Sequence, residues 1–95
     1  MKTIWKFSTL KGMDFKERFI IEMPKGAEIL TVQVDEKNNH PTIWALVDTE
    51  ADVEYRNFVL VGTGNPIGTL VDKKYIGTYQ YQRGEFVGHI FELID

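Results

Sequence analysis

Alternation of apolar and polar residues with a period of two, broken at short intervals by Gly, Asn and Pro, restricts this chain more than any other feature of it. Thr3, Trp5, Phe7 and Thr9 fall on one side of an extended backbone, with Ile4, Lys6 and Ser8 on the other. Phe19, Ile21 and Met23 repeat the pattern, as do Leu30, Val32 and Val34, then Val87, His89, Phe91 and Leu93. A strand projects successive side chains to opposite faces, so each segment reads as a strand with one drier face. No stretch keeps a helical period for long enough to form a surface helix. The expectation is an all-β domain, a small antiparallel sandwich or barrel of about seven strands with at most one short helical turn.

Turn chemistry then orders the strands. Leu10-Lys11-Gly12-Met13 reads as a first turn, with Phe15 in register if the next strand starts early, and Pro24-Lys25-Gly26 as a second. Residues 28–35 and 42–48 pair as a hairpin across the polar run 35–41, and residues 74–81 and 85–94 pair across Gln82-Arg83-Gly84. The acidic run 48–54 reads either as one helical turn capped by Asp48 or Thr49 or as a loop. Gly77 and Gly88 lie inside strands, where a glycine marks a bulge, a sharp coil of the sheet or the close approach of another group. On this register Tyr75, Gly77, Tyr79 and Tyr81 share a face.

The densest apolar run, Phe58-Val59-Leu60-Val61, empties into the densest turn chemistry, Gly62-Thr63-Gly64-Asn65-Pro66-Ile67-Gly68, and residues 69–72 lead onward. β-branched and large apolar residues fit a buried strand, and the glycines with the Asn-Pro step forbid its continuation. Gly62 and Gly64 take positive φ without steric penalty, and Asn65 tolerates it better than most residues. Successive N–H groups in such a loop can converge into a nest for an anion, with Thr63 and Asn65 adding a hydroxyl and an amide. The same residues also read as a plain connection between strands, because Gly-x-Gly without a Lys or a third Gly is no phosphate fingerprint.

Composition narrows the class. With 95 residues, 43% apolar and 13% aromatic, the chain reads as one globular domain, residues 1–95, burying roughly 65% of its surface on folding. Strand edges to cover, and no disulfide to help, make a homo-oligomer the expectation. Absence of Cys removes disulfides, thiolate nucleophiles and Cys-based metal sites. A net charge of −3 with scattered Lys and Arg argues against sequence-independent nucleic-acid binding. No apolar segment is long enough to span a bilayer or to serve as a signal sequence, so the expectation is a cytoplasmic protein without membrane contact.

Residues suited to chemistry are few. His40 and His89 have no spacing that makes a metal site with a carboxylate, and Ser8 has no nucleophile context. His89 reads as a hydrogen-bonded, partly buried imidazole. Tyr75, Tyr79 and Tyr81, with Trp44 and Phe58 elsewhere, offer stacking area for a base, although core packing explains them equally. Arg56 pairs either with a phosphate or with the acids at 50–54. The expectation is a non-enzymatic protein with no catalytic residues, metal or cofactor, whose ligand-binding candidates are Gly62, Thr63, Gly64, Asn65, Arg56, Trp44 and His89.

In order along the chain, Ile4-Trp5-Lys6, Met23-Pro24-Lys25-Gly26-Ala27, Ile43-Trp44-Ala45-Leu46-Val47-Asp48, Gly62-Thr63-Gly64 with Pro66-Ile67, and Tyr75-Ile76-Gly77-Thr78 resemble a family of small bacteriophage and prophage proteins that carries no established activity. Members tend to carry Gly-Thr-Gly-His-Pro where this chain has Asn65, and Phe-His where it has Gly88-His89. The first departure weakens a metal or acid/base role for the loop. The resemblance implies a protein made during infection, in the host cytoplasm, that acts by binding. Sequestration of an anionic nucleotide-type messenger of host defence is the first expectation. Inhibition of a host protein, or a role in virion assembly, is the alternative.

Overall fold

Among the described residues the alternating segments become seven strands: β1 (Lys2–Ser8), β2 (Arg18–Pro24), β3 (Glu28–Asp35), β4 (His40–Asp48), β5 (Val53–Gly62), β6 (Lys73–Tyr81) and β7 (Phe86–Leu93). The computed structural model describes residues 1–9, 18–37, 39–67, 72–81 and 83–94. The expected turns and contacts at 10–13, Phe15, Asn38, Gly68, 69–71 and Gln82 lie outside the described residues. A three-stranded sheet has the order β1-β4-β3 and a four-stranded sheet the order β2-β5-β7-β6. Every pairing is antiparallel, and both expected hairpins form, β3 with β4 and β6 with β7. Among the described residues no helix is long and apolar enough to cross a membrane.

One core lies between the two sheets. Val32, Ile43, Ala45 and Val47 enter it from the three-stranded sheet, and Ile21, Met23, Phe58, Leu60, Tyr79 and Ile90 from the four-stranded one. Phe58 and Ile43 are completely buried, each removal from water contributing about 1.5–3 kcal/mol. Phe19 stacks on Phe58 with ring centroids 5.4 Å apart. Phe58 is therefore a packing residue, and its expected role as stacking surface is corrected.

Two bulges revise the expected faces. Pairing of β3 with β4 shifts between Ile29 and Thr31, so Ile29 packs against the core while Leu30 turns out to solvent, contrary to its expected grouping with Val32 and Val34. Pairing of β6 with β7 shifts between Tyr75 and Gly77. An extra residue reverses the side-chain alternation beyond it. Tyr75 is thereby moved to the outer face, edge-on to Phe91 at 5.5 Å, while Tyr79 is buried and Tyr81 packs against the core. The expected three-tyrosine platform does not form. Gly77 is both bulge and close approach, since a Cβ there would stand 2.7 Å from Val32 Cγ1 of the facing sheet.

Of its two readings, the acidic run takes the loop, not the helical turn. Ala51 N–H donates to the Asp48 carbonyl at 3.1 Å and Glu50 N–H to Asp48 Oδ1 at 3.1 Å, closing a tight turn before β5 starts at Val53. The Glu50 amide holds the Asp48 carboxyl below its usual pKa.

Candidate functional site

β5 ends as its residues demand. Asn65 N–H donates to the Gly62 carbonyl at 3.0 Å and Gly64 has φ +88°, the pattern of a type II turn whose third position favours glycine. The Asn65 side chain folds back over Gly62, where a Cβ would meet Asn65 Nδ2 at 2.9 Å and the Phe86 ring at 3.3 Å. Thr63 N–H donates to the Val87 carbonyl at 3.1 Å, extending the β5–β7 ladder into the turn. The amides of Thr63 and Asn65 are thus engaged inside the fold. No three-amide nest forms, and the Gly64 amide at the tip has no partner among the described residues.

Beside this turn runs a row of polar side chains across three strands of the outer face. Register places Val61 opposite His89 and His89 opposite Thr78. Thr63 Oγ1 lies 2.7 Å from His89 Nε2, Thr78 Oγ1 lies 2.8 Å from His89 Nδ1, and the Tyr75 hydroxyl hydrogen-bonds Thr78 Oγ1. His89 is half-buried, while Thr63, Thr78 and Tyr75 are exposed. A hydroxyl can donate or accept, so the row satisfies the imidazole in any protonation state and still presents donors and acceptors to solvent. Tyr75 adds an exposed ring braced by Phe91.

Of the residues expected at the site, Gly62, Thr63, Gly64, Asn65 and His89 come together. Trp44 lies on the outer face of the other sheet, across the thickness of the sandwich, with Lys6 Nζ 5.7 Å from its ring centroid and paired to Asp35 at 2.9 Å. Arg56 lies six residues before Gly62 on β5, roughly 20 Å away along an extended strand. Its guanidinium grips Glu92 through two donors and gives Nη1 to the Ala27 carbonyl at 2.9 Å, with Glu54 at 3.5 Å. The hydrogen-bonded Glu92 carboxylate pushes the Arg56 pKa up. Arg56 thus answers Glu54 and above all Glu92, and it is unavailable to a phosphate at the turn.

Thr78 joins the site without having been expected there, as does Arg83 by position, in the β6–β7 turn at this same end of the sheet, while Tyr75 alone of the three tyrosines expected to offer stacking area stands beside it. The hairpin itself carried the signal for Thr78, because the length of the turn decides which β6 residue meets His89. A three-residue turn pairs Gly88 with Thr78, whereas the four residues between Tyr81 and Phe86 put His89 there. At the opposite end of the sandwich a cleft of about 230 Å³ is lined by Lys2, Lys25, Glu28 and Asp48 among others. Lys25 N–H donates to the Asp52 carbonyl and Gly26 N–H to Glu54 Oε2, which fixes that rim.

Comparison with known families covers the whole chain, residues 1–95. The chain belongs to the family Domain of unknown function (DUF7352). No curated protein and no solved structure matches it. Membership in this family assigns no chemistry, so the functional reading rests on the site's own geometry.

Proposed function

We propose that this member of the DUF7352 family is a non-enzymatic binding protein that takes a small anionic, nucleotide-type molecule on the outer face of the four-stranded sheet. The observation that carries the reading is the exposed row Thr63–His89–Thr78–Tyr75 beside the Gly62–Asn65 turn. The Gly64 amide and the hydroxyls of the row serve the anionic group, His89 holds Thr63 and Thr78 in place through its two ring nitrogens, and the exposed Tyr75 ring braced on Phe91 serves a base. Arg56 and Trp44 have no part in it. The residues form a hydrogen-bonded array held by the ladder, so little ordering entropy is lost on binding. Resemblance to phage and prophage proteins supports a setting in an infected bacterium, where such a protein sequesters a messenger of host defence.

A second reading has its own observation. Ile20, Val53 and Tyr55 are exposed, the last at 69%, and the register sets Ile20 diagonal to Tyr55 with Val53 two residues further along β5, an area suited to a protein partner. Native mass spectrometry of the protein recovered from bacterial lysate separates the two. The first reading expects a nucleotide-sized mass increment that His89→Ala removes. A stoichiometric protein-sized increment favours the second, and bare chain alone overturns the first.

A further inference from the structure

Among the described residues, two sheets of three and four strands leave four edges, β1, β3, β2 and β6, and each is a template for pairing unless its residues oppose it. Three of them do. β3 and β6 carry the bulges described above, and their charges are alike: Glu28 and Asp35 on β3, Lys73 and Lys74 on β6. The charged residues of β1 are Lys2 and Lys6, the latter paired to Asp35, and antiparallel self-pairing about Ile4 sets the two lysines opposite each other, so this edge has no charge pattern complementary to itself.

β2 differs on every count. Its pairing with β5 runs without a shift from Arg18 to Pro24, so the strand is regular along the edge that pairs with no other described strand. Arg18, Ile20 and Glu22 alternate on the outer face and are exposed, Ile20 at 64%. Neither Arg18 nor Glu22 has an ion-pair partner among the described residues. Antiparallel pairing of two β2 strands about Ile20 sets Arg18 against Glu22 of the second copy, Glu22 against Arg18 of the second copy, and the two Ile20 side chains against each other. The pattern is complementary to itself under a two-fold axis, as an isologous interface requires. Pro24, which has no N–H to give, ends the pairing at one side.

We infer that the β2 edge is the interface of a homodimer in which two four-stranded sheets join into one sheet of eight. The partner is a second copy of this chain, argued from the charge complementarity of β2 with itself, which none of the other three edges has. The interface is distinct from the row around His89 on β5, β7 and β6, so its test does not depend on the ligand.

Sedimentation equilibrium of the full chain, across a dilution series at low salt, reads it directly. The parent should reach twice the 11.0 kDa chain mass. Arg18→Glu and Glu22→Arg alone each replace two attractive contacts by two repulsive ones, and each should weaken association by roughly tenfold. The double variant R18E/E22R restores complementarity and should restore the dimer, with circular dichroism confirming the β fold in all four proteins. A parent that stays monomeric, single variants that associate as tightly as the parent, or a double variant no better than the singles would overturn the inference.

Discussion

At the scale of single residues, two buried polar groups make opposite demands. The Tyr79 hydroxyl is buried without a hydrogen-bond partner among the described residues, 4% of the residue being exposed, and desolvation pushes its pKa up to about 12. A folded pKa above the unfolded value of about 10 means that the folded state holds the proton more tightly. The stability this contributes is fully present below pH ~10 and is lost as pH rises from there through about 12. Denaturant melts between pH 9 and pH 12 should therefore show a decline that Tyr79→Phe makes shallower. At neutral pH the same variant should be neutral or stabilising by up to about 1 kcal/mol, because it removes an unsatisfied buried group. Arg56 and Glu92 are the reverse case, paired with 17% and 13% of their side chains exposed. Arg56→Ala should lower stability by about 2–3 kcal/mol by leaving a half-buried carboxylate alone, whereas replacing both partners by apolar residues should recover most of the loss. Chemical denaturation of the three variants checks this, and a double variant as unstable as Arg56→Ala would remove the account of the pair.

At the scale of elements, the strands and hairpins were legible because alternation and turn residues are local signals. The registers were not. Leu30 and Tyr75 follow the alternation of their own sequence, yet each lies at a bulge that only the partner strand makes visible. Gly77 was legible as a special position, but its reason, the Val32 methyl of the other sheet, is a contact between residues 45 positions apart. Gly77→Ala should destabilise by roughly 1–3 kcal/mol by overpacking that contact, and Val32→Ala should cost less in this background than in the parent. A thermodynamic cycle of the four proteins tests it, and strict additivity would show that the approach of the sheets does not govern the position. Likewise the turn after β5 was legible from Gly62, Gly64 and Asn65, while the engagement of the Thr63 amide depends on the Val87 carbonyl of the partner strand β7. Gly64→Val places a β-branched residue at φ +88° and should cost about 1–3 kcal/mol. Gly64→Ala, also strained, should cost less.

At the scale of the whole molecule, two sheets around one core present two outer faces and two ends, and the polar row around His89 is set against the charged cleft at the far end as a place for an anionic molecule. His89 lies beside the glycine turn, whereas Arg56 and Trp44, expected with them, lie apart, because facing sheets and strand ends cannot be assigned from one-dimensional spacing. The central claim is that a nucleotide-type ligand binds at the row. Its most direct test is a titration of the isotope-labelled chain with adenosine monophosphate, followed by proton–nitrogen correlation spectra. Saturable shifts gathered on Thr63, Gly64, Asn65, Thr78 and His89, and lost in His89→Ala, are the predicted result. Spectra unchanged up to millimolar nucleotide, or shifts confined to Lys25, Gly26 and Glu28 in the opposite cleft, would contradict it.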